Sequence, residues 1–194
     1  MHTLDYYLKQ FSRKNYDEFD AFFDLTSDYI YLYLFLALDD YDLINKLYNE
    51  IYQYILKKSK KFLKNKAYLL NIIKYTRSVI KKNIKNNNNQ MEYIYNNNKI
   101  IQEDKGLLIN KIKSILDLGE KEYILFKEYF NLDIETLKIL FNKSLEDILW
   151  IKTEIMIKLK SKIDIKNEKD ILEIFINQIK NISIPKVEGQ WKKY

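Results

Sequence analysis

The sequence predicts an all-α protein made of two small helical domains joined by a flexible, asparagine-rich linker. Three observations lead there. Gly 3 and Pro 1 among 194 residues leave few turn formers, so tight hairpins are scarce and helices are favoured. Apolar residues recur at helical spacing on both sides of the middle of the chain. Between them, Asn86 to Asn89 and Asn96 to Asn98 bracket a polar, low-complexity stretch with linker composition. The boundaries are then 1–85 for the first domain, 86–104 for the linker, 105–163 for the second domain and 164–194 for a C-terminal helix and tail.

The first helix covers 3–12 and carries Leu4, Tyr7, Leu8 and Phe11. A second begins near Asp17, with Phe19, Phe22 and Phe23 on one side. Thr26, Ser27 and Asp28 are helix-start residues, so a separate, very apolar helix is expected from there to Leu38. Asp39 or Asp40 caps the next, which shows Leu43, Leu47, Ile51 and Ile55 at helical spacing. After a connection at Lys57–Lys66, a helix over 67–84 turns Leu69, Ile72, Ile73 and Ile80 inward.

Beyond the linker, Leu107, Leu108, Ile112, Ile115 and Leu116 mark the first helix of the second domain. Glu120 to Phe130 is the next. Asp133 caps a short helix ending near Phe141, Asn142 to Ser144 make a tight turn, and Ser144 caps a longer helix over 145–163. Short helix, three-residue turn and longer helix form the helix-turn-helix plan. A last helix over 167–181 leads to Pro185 and a basic aromatic tail, Trp191 to Tyr194.

Composition removes several classes of function. Cys 0 excludes disulfides and thiolate metal sites, and His2 is the single histidine, so histidine triads and multi-histidine metal sites are not available. Gly106, Gly119 and Gly189 stand alone and build no phosphate loop. The expectation is a protein that is not an enzyme, with no catalytic residue, metal, cofactor or small-molecule substrate. The longest apolar run, Tyr29 to Leu38, is far short of the roughly 17–25 residues of a membrane span. The first ten residues are polar and mixed, unlike a signal peptide. No membrane partner and a cytoplasmic location follow as expectations.

The net charge of +6 conceals a polarity. Residues 1–50 hold four basic and ten acidic side chains, whereas residues 57–85 hold eleven basic and none acidic. An AT-rich coding sequence raises lysine everywhere, but it does not remove acids from twenty-nine consecutive residues. The block reads as a nucleic-acid surface beside an acidic surface for a different partner. A solvated lysine face is the alternative.

Residues on both sides of that reversal resemble the bacterial sigma-70 family of RNA polymerase sigma factors, in particular its small two-domain, extracytoplasmic-function-like members. The family's Asp-Leu-Val-Gln-Glu-Val-Phe motif, on the helix that grips the polymerase, is similar to Asp42-Leu43-Ile44-Asn45-Lys46-Leu47-Tyr48. Asn45 shortens the Gln and Lys46 reverses the Glu. The family's Trp-Leu-Tyr-Arg-Ile-Ala-Arg-Asn, which opens the promoter-melting helix, resembles Tyr68-Leu69-Leu70-Asn71-Ile72-Ile73-Lys74-Tyr75. The resemblance implies a region 2-like first domain. Its polymerase-binding residues would be Asp39, Asp42, Leu43, Asn45, Lys46 and Tyr48. Its promoter-melting residues would be Lys60, Lys61, Tyr68, Lys74, Tyr75, Arg77, Lys81 and Lys82.

The chemistry agrees with that assignment. Trapping a single strand needs aromatic faces for bases and cations for phosphates. Tyr68 and Tyr75 are two helical turns apart and share a face, with Lys74, Arg77, Lys81 and Lys82 on the same helix. Each tyrosine has a second reading, as a core residue.

The second domain resembles the family's region 4. Leu118 to Phe130 is similar to its Leu-Ser-x-x-Glu-Arg helix, with Glu122 as the Glu, and Ser144 falls on its turn Ser. The implied DNA contacts are Lys143, Ser144, Trp150 and Lys152, with Lys158 a further phosphate contact. Trp150 has alternative readings, as core or as a protein contact. Glu146 and Asp147 meet phosphates badly, and they also suit the helix dipole. The expected partners are core RNA polymerase, promoter DNA and an anti-sigma protein. The competing functions are a helix-turn-helix regulator that acts without polymerase and a helical scaffold whose lysines reflect composition alone.

Overall fold

A computed structural model describes residues 2–88, 104–163 and 168–186. Among them there are ten α-helices and no strand, so the fold is all-α. The chain forms two compact units, Met1–Glu92 with Ile184–Tyr194, and Tyr93–Ser183. No helix of the described residues is long and apolar enough to cross a membrane. The linker expected over 86–104 lies mostly outside the described residues; its first three residues are helical and Asp104 opens a helix. The aromatic tail 191–194 lies outside them as well.

In the first unit the helices are α1 (Leu4–Ser12), α2 (Phe19–Ala37), α3 (Tyr41–Lys57), α4 (Ser59–Phe62) and α5 (Tyr68–Asn88). α2 sits centrally and packs on α1, α3 and α5. It is one continuous helix, where two had been expected to meet at Thr26–Asp28. Thr26 and Ser27 are buried within it. The Thr26 hydroxyl donates to the Phe22 carbonyl one turn back (2.9 Å) and lies 2.9 Å from the Tyr52 hydroxyl of α3. A polar residue that reads as a cap is therefore satisfied in mid-helix, because its own helix and a neighbour both supply partners.

Around that contact the core is aromatic. Phe22 is fully buried and meets Phe11 edge-on at 5.1 Å, with Phe19, Tyr7 and Tyr52 at 6.3–6.4 Å. Such edge-to-face pairs add about 0.5–1.5 kcal/mol each beyond area burial. Asp40 caps α3 by accepting from the amides of Asp42 and Leu43. Ile44, Leu47, Tyr48, Ile51, Tyr52, Ile55 and Leu56 form the buried face of α3, and Leu43 is half-exposed.

In the second unit, α6 (Asp104–Ile115), α7 (Leu118–Tyr123), α8 (Ile134–Phe141), α9 (Leu145–Lys162) and α10 (Glu168–Lys180) pack together. α10 lies against α6 and α9, so it completes this unit. Asp117 and Glu120 form a capping box at the start of α7. α7 continues into one π-helical turn, Ile124–Tyr129, where the Phe130 amide donates to the Leu125 carbonyl at 2.9 Å. Asn142 ends α8 in the left-handed conformation (φ 54°), which asparagine tolerates. Ser144 then starts α9 through a capping box with Asp147, worth about 1 kcal/mol.

Buried tyrosines set an alkaline limit on this fold. Burial, then Tyr54 and Glu50, push the Tyr75 phenol up to about 12, and burial followed by Glu128 does the same for Tyr123. Burial also raises Tyr48 and Tyr52. In the unfolded chain these phenols ionise near 10, so between about pH 10 and 12 the folded state holds more protons. Stability present below pH 10 is lost as pH rises through that window. Urea unfolding at pH 8 to 12 is expected to show a flat region followed by a fall, shallower in Tyr75→Phe. A decline that begins below pH 9 would contradict this.

Candidate nucleic-acid interface

The expected connection at Lys57–Lys66 is not an open loop. Lys57 ends α3, α4 follows at once, and Lys64–Lys66 make a 3-10 turn. Ser59 and Phe62 are buried and anchor the segment. Asn71, on the first turns of α5, ties it down by donating from Nδ2 to the carbonyls of Phe62 (3.2 Å) and Lys64 (2.9 Å). The basic side chains therefore project from a fixed backbone.

Beside this segment lies a groove of about 870 Å³, walled by the end of α1, the last turns of α3, α4 and Tyr75 of α5. Lys14, Lys57, Lys58, Lys60 and Lys61 line it against one acid, Glu50. Its aromatic wall is a stacked pair. Tyr54 and Tyr75 lie with ring centroids 4.2 Å apart and planes inclined by 11°. Phe62 supports both rings edge-on, at 6.2 and 5.9 Å. Lys61 donates to the Tyr54 hydroxyl at 3.1 Å, and its ammonium is 5.7 Å from that ring's centroid. Both tyrosines are partly exposed. Cations beside stacked aromatic rings are the two elements that hold a single strand.

Of the residues expected to melt a promoter, Lys60, Lys61 and Tyr75 come together here. Tyr68 does not join them. It is half-buried at the start of α5, where partial burial and the Asp5 carboxylate of α1 raise its pKa. Lys74, Lys81 and Lys82 are exposed along α5, outside the groove wall, and Arg77 is half-buried with an interaction of its own. Sequence reading missed Tyr54, Lys14 and Tyr16 as parts of the site. The signal for Tyr54 was an aromatic residue one turn before the lysine block.

Asp42, Asn45 and Lys46 are exposed on α3, as is Asp39 just before it. Tyr48 is a correction. Its ring is 1% exposed and packed edge-on against Tyr31 and Tyr52, so it is core and offers no contact surface. The exposed face of α3 runs on through Asn49, Glu50, Gln53 and Lys57, so the Asp42–Lys46 patch and the groove share one side of one helix.

The second unit offers less to DNA than expected. Lys143 and Ser144 are exposed at the turn, but Lys152 pairs with Glu128 at 3.0 Å. Lys158 is no free phosphate contact: it holds the buried Glu120 carboxylate at 2.6 Å, which raises its pKa. Glu122 is fully buried. Trp150 is 59% exposed, which excludes the core reading. Among the described residues no cluster of metal-ligating side chains occurs.

Asn71→Ala is expected to cost about 1–2 kcal/mol of stability, from two lost hydrogen bonds. It should also weaken single-strand binding without changing the salt dependence, because every charge remains. Fluorescence anisotropy with a labelled oligonucleotide from 50 to 200 mM salt measures both. Compared with family models, curated proteins and solved structures, the chain finds no match.

Proposed function

We propose that the protein is a divergent sigma-like initiation factor that binds core RNA polymerase and holds the opened promoter strand. One observation carries the reading. A single exposed face of α3 begins with Asp42, Asn45 and Lys46 and ends, about 16 Å further on, in the lysine- and tyrosine-lined groove. A protein that docks on polymerase through the first half of that face brings the second half to the melting strand. The motif resemblances at Asp42–Tyr48 and Tyr68–Tyr75 support the same order of tasks.

The test separates the two halves. The protein should copurify with its host's core polymerase and stimulate initiation from a promoter library. Asp42→Arg should abolish copurification and leave oligonucleotide binding intact. Lys58→Glu with Lys61→Glu should do the reverse. No copurification together with tight duplex binding would favour a regulator that acts without polymerase. If neither variant changes any binding, the lysines are a solvated surface and the protein is a scaffold.

A further inference from the structure

Helix α9 is apolar on two sides. Ile148, Ile151, Ile155 and Leu159 fill the core of the second unit. On the other side Leu149, Trp150 and Ile157 are 57%, 59% and 58% exposed. Isolated exposed apolar residues are common, but three large ones along one helical stripe mark a contact surface. The stripe reads Glu146, Leu149, Trp150, Thr153, Ile157, Lys160. Its two charges are segregated, with Glu146 in the first turn of the helix and Lys160 in the last.

We propose that this face is a self-complementary interface, pairing α9 with α9 of a second copy of the chain, antiparallel across a twofold axis at Thr153. The spacing sets the register. Leu149 and Ile157 each lie four residues from Thr153, and Glu146 and Lys160 each lie seven. Antiparallel superposition therefore places Leu149 against Ile157 twice and an acidic end against a basic end twice.

A parallel pair sets carboxylates against carboxylates and lysines against lysines. Duplex DNA would meet the Glu146 and Asp147 carboxylates at the N-terminal end of α9, which disfavours it as the occupant. Lys160 also has an interaction within its own chain, so the apolar stripe holds the pair and the end charges orient it. Such an isologous contact uses its surface fully in a dimer and leaves no open end for further growth. The inference is independent of the transcriptional reading.

With Cys 0 in the chain, one introduced thiol reports on the axis. Under mild oxidation Thr153→Cys should form a disulfide-linked dimer, and Lys138→Cys on α8 should not. Sedimentation equilibrium of the full chain should show its 23.7 kDa mass doubling as concentration rises. Leu149→Asp with Ile157→Asp should stay monomeric with an unchanged circular dichroism spectrum. Glu146→Lys and Lys160→Glu should each weaken the dimer about tenfold, and together restore it. A wild-type chain that stays monomeric to millimolar concentration overturns the proposal. So does equal cross-linking at both thiols, or a monomer whose Thr153→Cys thiol is shielded only by added duplex DNA.

Discussion

Replacing Lys58, Lys60 and Lys61 together with glutamate is expected to remove nearly all single-strand binding by the first unit. These three lysines are exposed, line the groove and lie on a segment fixed by Phe62 and Asn71. Each cation that neutralises a phosphate on a single strand adds about 0.7 to the logarithmic salt slope. Five groove lysines would give a slope of about −3.5, a loss of about 100-fold between 50 and 200 mM salt. Removing three leaves a slope of about −1.4. Anisotropy titrations at several salt concentrations read both the affinity and the slope. A variant that loses affinity with its slope unchanged would show that the lysines act through folding rather than through phosphates. Tyr75→Ala should act differently: about 1–3 kcal/mol weaker for a stacked base, at constant slope.

The largest stability effect is expected from Phe22→Ala. The ring is fully buried where α1, α2 and α3 meet, in contact with Tyr7, Phe11, Phe19 and Tyr52. Truncation removes both the transfer free energy of the ring and the contacts around the cavity left behind. The cost is about 3–5 kcal/mol. Whole domains are stable by only about 5–15 kcal/mol, so the first unit should lose a large share of its stability. Urea denaturation should move the first unit's transition to lower concentration and leave the second unit's in place. An unchanged midpoint would mean that the aromatic cluster is loosely packed.

Much of the fold is legible in the sequence because its signals are local. Asp40, Asp133 and Ser144 cap the helices that their positions predict, since a cap needs only its own next three amides. Thr26–Asp28 misleads for the opposite reason. Thr26 sits inside a helix because the Phe22 carbonyl and a distant hydroxyl, that of Tyr52, satisfy it. Lys57–Lys66 looks unstructured because lysine obscures periodicity, and the two buried anchors Ser59 and Phe62 are easily passed over.

The candidate site is partly legible. A run without acids can be counted, so Lys60 and Lys61 are found from sequence. The Tyr54–Tyr75 stack joins residues on two helices, and only their packing reveals it. Burial moves Tyr48 to the core, although its motif position suggests a contact. The same kind of information works the other way for Trp150, whose exposure follows from α9 directing Ile148, Ile151, Ile155 and Leu159 inward.

The π-helical turn at Ile124–Tyr129 also bears on ancestry. Its wider hydrogen-bond spacing holds one residue more than an α-helical turn would. A homologue with one residue fewer here would keep the same helix positions before and after the turn. Comparison without gaps would misalign everything downstream by about 100° of helix rotation, setting core positions of one chain against surface positions of the other. An alignment with such a homologue would therefore open a single-residue gap between Ile124 and Tyr129, ahead of α8 and α9.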